Sequence, residues 1–230
     1  MDSGMAAFVV GIIVLSIAVG VVIVIAQRRA IAARSEDLRA LATAQGWRFI
    51  AKDKSYAKRW HGKPFTSGGS ARHILTGSHR GRGFSMFEYH YTTSTYNGTT
   101  TVSQSHVFSV WAVQLPHRVP DLLVEAEGAL GGRVAEAFGF ARVDVGDAEF
   151  DEAFKATCDD DGFARAVLGP EVVSLLKGTG PWHWRLSGTT MLSYERDTLD
   201  PEDALVRLEQ MSELLDRVPD EAWSSPPARS

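Results

Sequence analysis

The segment FSMFEYHYTTSTYNGTTTVSQSHVFSVWAVQL, from Phe84 to Leu115, decides how the rest of the sequence is interpreted. Its two ends are rich in aromatic and β-branched residues, which favour strands, while its middle is polar. The Asn97-Gly98 pair at its centre is a strong signal for a two-residue hairpin turn. The same pair, followed by Thr99, also matches the N-glycosylation pattern, and polar stretches of this kind occur in disordered linkers.

Placing the Asn-Gly pair in the turn fixes the register of the two flanking strands. Phe87 then lies opposite Phe108, and facing aromatic side chains stabilise antiparallel strands. Disordered linkers rarely combine tyrosines with so many β-branched residues. The sequence therefore predicts a single hairpin with strands over about 84–96 and 99–115, whose polar half extends past the core.

A long apolar segment, AAFVVGIIVLSIAVGVVIVIA, covers Ala6 to Ala26 and contains one Ser and no charged residue. A helix of this length is about 31 Å long, which matches the hydrocarbon core of a bilayer, about 30 Å thick. A secretory signal peptide is the alternative, but signal peptides start with positive charge and have a shorter apolar core. The start MDSGM contains no Lys or Arg, so we predict an uncleaved transmembrane anchor over residues 1–27.

Four arginines follow this apolar segment: Arg28, Arg29, Arg34 and Arg39. No arginine precedes it. Positive residues close to a membrane span favour the cytoplasmic side. We therefore predict that the N-terminus lies outside the cell membrane and that the C-terminal domain is cytoplasmic, which leaves Asn97 unglycosylated. The helix is expected to continue through a basic juxtamembrane segment, residues 28–46, beside the lipid bilayer.

Charge is distributed unevenly along the chain. Residues 27–90 carry 13 Lys and Arg against 4 Asp and Glu, whereas residues 91–230 carry 11 against 23, within a net charge of −4. This split is typical of a basic region beside an anionic surface, and the overall acidity gives no indication of nucleic-acid binding. The single cysteine, Cys158, cannot form an internal disulfide, which favours a reducing compartment.

The remaining patterns predict an α+β fold: an N-terminal transmembrane helix, then a mainly antiparallel sheet with a long hairpin and a C-terminal amphipathic helix. One domain is expected over 47–218, followed by a disordered tail, 219–230. Further strands are predicted at 47–51, 72–77, 122–125, 140–145 and 150–157, with a second hairpin around Ser187-Gly188. Helices are predicted at 129–138, after an aspartate cap near 160, and at 170–177. The C-terminal helix begins with Asp200 and Pro201 and has an apolar stripe: Leu205, Leu208, Met211, Leu215 and Val218.

The histidines and carboxylates do not form a recognisable catalytic or metal-binding pattern. Six of the seven histidines fall within 61–117, but they lack the close pairs typical of zinc sites. An acidic run over 144–161 holds eight carboxylates, yet Thr157 and Leu168 stand where a calcium loop needs Asp and Glu. We expect no catalytic residue, metal or cofactor, and the alternative is a membrane-tethered hydrolase that uses carboxylates in 144–161 with a histidine.

Several motifs occur in a recognisable order. R-x-L-A-x-x-x-G-W spans Arg39 to Trp47, GRGFSMFEYHY precedes the hairpin that ends in Leu115-Pro116, D-x-E-F-D-x-x-F spans Asp147 to Phe154, and DDDGFARAVLGPEVVSLL follows. The chain resembles a family of uncharacterised bacterial single-pass membrane-anchored proteins, most often met in high-GC Gram-positive bacteria. The resemblance covers most of 36–195 and implies no catalytic residue in this chain.

The sequence thus predicts a non-enzymatic binding or scaffold domain, held at the inner face of the membrane. Its expected partners are the lipid bilayer and either another protein or a second copy of the chain, and no nucleic acid is expected. The candidate partner surface lies on the hairpin: Tyr91, Tyr96 and Asn97.

Overall fold

The computed structural model describes residues 3–65, 68–126, 141–180 and 182–223, and in its first helix it describes side chains at residues 19, 22–26 and from 28 onward. The helices are α1 (Ser3–Ala44), a 3₁₀ helix (Tyr56–Arg59), α2 (Ala148–Ala153), α3 (Asp161–Val167), α4 (Pro170–Thr179), α5 (Pro201–Arg217) and α6 (Asp220–Trp223). The strands are β1 (Arg48–Asp53), β2 (Ser70–His79), β3 (Arg82–Tyr96), β4 (Thr101–Ala126), β5 (Ala141–Val143), β6 (Phe154–Cys158) and β7 (Trp184–Glu195). The helix predicted at 129–138 lies outside the described residues.

A seven-stranded sheet organises the protein, in the order β1-β2-β3-β4-β6-β5, with β7 also paired to β4. All of these pairings are antiparallel. Strand β4 is 26 residues long, so one of its edges pairs first with β3 and later with β6, while the other edge pairs with β7. A mixed α+β fold with a mainly antiparallel sheet is confirmed.

The long hairpin is present, but its turn differs from the predicted two-residue turn. Strand β3 ends at Tyr96 and β4 begins at Thr101, so four residues connect them. The Asn97 side-chain oxygen accepts hydrogen bonds from the backbone amides of Thr99, at 3.1 Å, and Thr100, at 2.9 Å. Asn is well suited to such a turn because its side chain bonds to the backbone two or three residues further on.

The longer turn changes the register of the hairpin. Phe87 pairs with Val110, and Phe108 pairs with Tyr89. The predicted pairing of Phe87 with Phe108 was therefore wrong by two residues. Because side chains alternate between the faces of a strand with a period of two, the shift leaves each side chain on its expected face.

Strand β4 runs without interruption through Pro116 and Pro120, whereas the sequence predicted that one strand ends at 115 and another begins at 122. Nine residues of β4, from Gln114 to Leu122, lie opposite five residues of β7, from Thr190 to Leu186. Proline lacks an amide hydrogen, so irregular positions such as this bulge accommodate it. The strand predicted at 122–125 is consequently the end of β4 and not a separate element.

Two other predicted strand elements were wrong. The strand predicted at 150–157 begins only at Phe154, because Asp147 caps a preceding helix, α2, by accepting a backbone hydrogen bond at 2.9 Å. The second hairpin predicted around Ser187-Gly188 does not form, since β7 passes through both residues as one strand. Gly188 has a φ of 58°, a left-handed conformation that bends β7 opposite the β4 bulge.

The helical predictions after residue 158 agree with the structure. Asp160 caps α3 by accepting a hydrogen bond from the Phe163 amide at 2.8 Å, and Asp200 caps α5 in the same way with the Glu202 amide at 2.9 Å. The apolar stripe of α5 is buried with one exception, since Leu205 is half-buried. The stripe packs the C-terminal amphipathic helix onto the sheet.

Apolar side chains form a core on each face of the sheet. On one face, the end of α1 contributes Leu38 and Ala42, which pack with Trp111 of β4 and with α5. On the other face, Tyr56 of the 3₁₀ helix covers Phe87 in a smaller and more aromatic cluster. Since α1 and the loop after β1 cover opposite faces, the sheet is buried on both sides at its centre.

The predicted anchor and the predicted tail can each be compared with the structure at the two ends of the chain. No helix in the described part of the chain is long and apolar enough to cross a membrane. Most side chains of the predicted anchor, Ala6–Ala26, lie outside the described residues, and the anchor stays a prediction. Helix α6 falls within the predicted tail, 219–230, and Ala222 in it is buried.

Candidate functional site

The outer part of the hairpin extends beyond the rest of the sheet, and we call residues 91–108 the ribbon. Strand β2 pairs with β3 only as far as His90, and β7 pairs with β4 only from Ser109. Within the described chain, the outer edges of the ribbon therefore have no neighbouring strand. Six residues of β3 lie in the ribbon, and at about 3.3 Å per residue they extend about 20 Å.

The three residues of the predicted partner surface occupy different environments on the ribbon. Tyr96 is 68% exposed, and its hydroxyl donates a hydrogen bond of 2.9 Å to a carbonyl within the turn. The side-chain oxygen of Asn97 is engaged in the turn itself. Tyr91 is half-buried and stacks on His106, with ring centroids 4.6 Å apart, so it belongs to the base of the ribbon. Val102, which was not predicted, is 57% exposed and lies opposite Thr95 on the facing strand.

The composition of the ribbon leaves its edges unprotected. Residues 91–108 contain no Asp, Glu, Lys, Arg or Pro. Natural proteins commonly place charged residues or proline on edge strands, because an open edge pairs readily with another strand. The ribbon is thus a pair of open edges with Thr and Ser side chains, available to an additional strand.

A buried carboxylate lies where the ribbon joins the sheet. Glu88 is 0% exposed, and its Oε2 atom lies 3.1 Å from His73 Nδ1 and 2.8 Å from His90 Nε2. Its Oε1 atom lies 3.2 Å from Arg34 Nε and accepts a hydrogen bond from the Leu199 amide at 3.3 Å. The Arg34 and His73 nitrogens are close to the carboxylate, but neither is aligned well enough to count as a hydrogen-bond donor to it. We call these four side chains, Arg34, His73, Glu88 and His90, the Glu88 cluster.

The Glu88 cluster keeps its carboxylate ionised. Burial is the largest influence and disfavours the charged form, but the contacts with His73 and His90 and the charges of His73 and Arg34 outweigh it. Together they lower the pKa of Glu88 to about 2. The charged Glu88 therefore holds Arg34 of α1 against β2 and β3 at neutral pH.

The four arginines predicted to set the membrane topology divide into two pairs. Arg28 and Arg29 are exposed on α1. Arg34 contacts Glu88, and the Arg39 guanidinium lies 4.8 Å from the centre of the Phe49 ring. The second pair therefore also stabilises the packing of α1 on the sheet, and the predicted role of all four in orientation stays a prediction.

The acidic run is used mainly for local structure. Asp147 and Asp160 cap helices, and Asp151 accepts hydrogen bonds from two backbone amides of the preceding turn. Lys177 binds Asp147 at 3.0 Å and Glu149 at 2.9 Å. Across the described ranges, no group of three or more His, Cys, Asp or Glu side chains is placed to hold a metal ion. Capping and surface ion pairs account for these carboxylates.

The fold defines an α+β protein built on a mainly antiparallel sheet. No family model matches the chain, and no curated protein sequence matches it. Among solved structures, the chain is similar to the crystal structure of the mycobacterial trehalose monomycolate transport factor A, TtfA, with a TM-score of 0.59 and 12% sequence identity. The match covers 86% of this chain and 98% of that chain, and it shows a shared fold.

Proposed function

We propose that this protein is a membrane-tethered, non-enzymatic factor that docks an extended segment of a partner protein on its ribbon. The observation that carries the proposal is the pair of open, uncharged strand edges extending about 20 Å beyond the sheet. Strand addition to such an edge gives affinity through backbone hydrogen bonds, and flanking side chains give specificity. Tyr96 and Val102 are the exposed side chains that supply these contacts.

The membrane-associated part of the proposal rests on the predicted anchor and on the fold. Ala6–Ala26 anchors the chain, and the folded domain lies at the inner face of the membrane. The similarity in fold to TtfA, a transport factor by name, supports a non-enzymatic role in a membrane-associated transport process. We extend that role to this chain as a proposal.

The connection between anchor and domain favours a partner close to the membrane. Helix α1 is continuous through residue 26 to Leu38, which is buried in the core. The step of 12 positions from residue 26 to Leu38 corresponds to about 18 Å of helix. Because the Glu88 cluster also fixes α1 to the sheet, the domain is held at a short and defined distance from the anchor.

A photo-crosslinking amino acid at position 104, which is exposed on the same strand as Val102, tests the docking proposal in cells. We expect the full-length protein to crosslink to a membrane-associated protein, and we expect Val102→Lys to abolish the crosslink because edge lysines oppose strand addition. Val206→Lys is the matched control, since Val206 is 56% exposed on α5 and is not part of the ribbon. Its crosslinking should equal that of the parent protein.

Three other outcomes are informative. A crosslinked product of twice the chain mass would show that the ribbon pairs with a second copy of the chain, and the partner proposal would then be wrong. Equal crosslinking by the Val102→Lys and Val206→Lys variants would also overturn it. The proposal would also be overturned if a protein with its ribbon shortened over 93–101 still captured every membrane partner.

Reporter fusions test the proposed orientation. A C-terminal reporter that is active only in the cytoplasm should be active, and one that requires export should be inactive. Replacing Arg28 and Arg29 with Ala should weaken this preference without disturbing the Glu88 cluster, because neither residue contacts it. Activity of the export-dependent reporter would contradict the proposed topology.

A further inference from the structure

An open groove of about 830 Å³ lies on the sheet face away from α1. Ala112 and Leu192 form part of its floor, and the loop that contains Trp60 and His61 forms one wall. The β4 bulge forms the opposite wall. The groove has the size of a small-molecule site, and bulges often redirect side chains beside such sites.

Positive charge dominates the lining of this groove. Three guanidinium groups, from Arg59, Arg118 and Arg185, face it together with one carboxylate, Asp121. These three arginines and the one carboxylate give a net charge of about +2. A phosphate group, which carries up to two negative charges, matches this charge better than a carboxylate does.

Arg185 is held in an unusual environment for a cation. It is 8% exposed, and its guanidinium donates a hydrogen bond to the backbone carbonyl of His61. Its Nε atom is buried and has no hydrogen-bond partner, and the structure gives it no ion pair with a described carboxylate. Asp121 in the same lining attracts this charge without forming a close ion pair with it. A buried charge without a close ion pair is costly, so an anion bound directly to the guanidinium would relieve that cost.

Arg118 lies on the bulge in the opposite wall and is exposed. Among the described residues, it has neither a hydrogen bond nor an ion pair. Arg59 lies at the rim, where its guanidinium stacks 4.2 Å above the Tyr56 ring. Stacking on Tyr56 fixes the Arg59 guanidinium in place, whereas Arg118 on the exposed bulge is able to turn toward the groove. Guanidinium groups placed in this way are suited to bidentate contacts with phosphate.

We propose that this groove binds a phosphate group through Arg118 and Arg185, with Arg59 at its rim. The groove is separate from the ribbon, so this site adds to the proposed docking function and does not depend on it. The phosphate belongs either to a soluble molecule or to a lipid headgroup, and both sources present the same chemistry to the arginines.

Two measurements on the full-length protein distinguish the sources. Calorimetric titration with pyrophosphate, in a zwitterionic detergent, tests a soluble phosphate. Native mass spectrometry from nanodiscs of mixed phosphatidylcholine and phosphatidylglycerol tests a lipid headgroup. Arg118→Gln is the principal variant because an exposed side chain is replaced without disturbing the core. Arg165→Gln on α3 is the control, since Arg165 is also exposed and does not line the groove.

For a soluble ligand, we expect saturable pyrophosphate binding that weakens at least tenfold in Arg118→Gln and is unchanged in Arg165→Gln. For a lipid ligand, we expect retention of phosphatidylglycerol over phosphatidylcholine, with the preference lost only in Arg118→Gln. Binding of neither probe by the parent protein would overturn the proposal. Equal loss of binding in both variants would also overturn it, because general charge attraction would then explain the binding.

Discussion

Replacing Glu88 with Gln removes the charge at the centre of the Glu88 cluster while nearly preserving its shape. The carboxylate has a pKa of about 2 in the folded protein, against an ordinary value of 4.5. A difference of about 2.5 units, at 1.36 kcal/mol per unit, means that ionised Glu88 stabilises the fold by about 3 kcal/mol at neutral pH. We expect the Glu88→Gln variant to lose about this much free energy of unfolding.

The sign of the pH dependence follows from the lowered pKa. Above the unfolded value of 4.5, the carboxylate is ionised in both states and its full contribution is present. As the pH falls toward 2, the unfolded chain takes up the proton first and the contribution is lost. The difference between the parent protein and Glu88→Gln should thus decrease from about 3 kcal/mol at pH 7 to about 1 kcal/mol near pH 3.

Urea unfolding of the full-length chain in a zwitterionic detergent measures this difference. Tryptophan fluorescence reports on the domain, because Trp111 and Trp184 are fully buried. Glu213→Gln is the control, since Glu213 forms a half-exposed pair with Arg217 at 2.6 Å. Exposed pairs of this kind contribute less than about 1 kcal/mol.

Two results would refute the reasoning about the Glu88 cluster. One is a Glu88→Gln variant that is no less stable than Glu213→Gln at pH 7. The other is a loss of stability that stays constant between pH 7 and pH 3, because a loss caused by packing alone does not titrate. Combining Glu88→Gln with Arg34→Met should give a smaller loss than the sum of the single changes, since the two groups interact directly.

Three further predictions concern other parts of the fold. Gly77→Ala should destabilise the domain by about 1–3 kcal/mol in urea, because a Cβ atom there would lie 2.4 Å from the Trp47 ring. Cys158 should react with a thiol reagent at pH 8 only as fast as the protein unfolds, because burial, aided by nearby aspartates, raises its pKa to about 11; rapid labelling of the folded protein would contradict this. Asn97→Ala should accelerate amide exchange at the tip of the ribbon while the urea midpoint is unchanged, and a lowered midpoint would show that the ribbon contributes to global stability.

Local signals made part of the fold predictable. The caps at Asp160 and Asp200 and the existence of the hairpin follow from residues adjacent in sequence. The register of the hairpin was predicted less well, because the Asn-Gly signal does not reveal that the Asn97 side chain closes a four-residue turn. The course of β7 through Gly188 depends on the β4 bulge, which only the paired strands define.

The Glu88 cluster was not predicted because its members come from distant parts of the chain. Arg34 lies on α1, His73 on β2, and the Leu199 amide precedes α5. One signal was present in the sequence: Glu88 lies between strand residues Phe87 and Tyr89, where an acidic residue is unusual. A charged residue at the centre of an aromatic strand requires partners, but the sequence alone does not identify them.

The length of β4 has a consequence for synthesis on the ribosome. Its partner strand β7 follows late in the chain: Ser109 pairs with Glu195, 86 residues later, and Val124 pairs with Trp184, 60 residues later. At translation rates of roughly 5–20 residues per second, the edge of β4 that pairs with β7 has no partner strand for roughly 3 to 17 s, until β7 is synthesised. During that interval, the nascent hairpin exposes the strand that contains Trp111, a surface on which aggregation competes with folding. We therefore expect the yield of soluble protein to rise when a chaperone is co-expressed to shield the nascent chain.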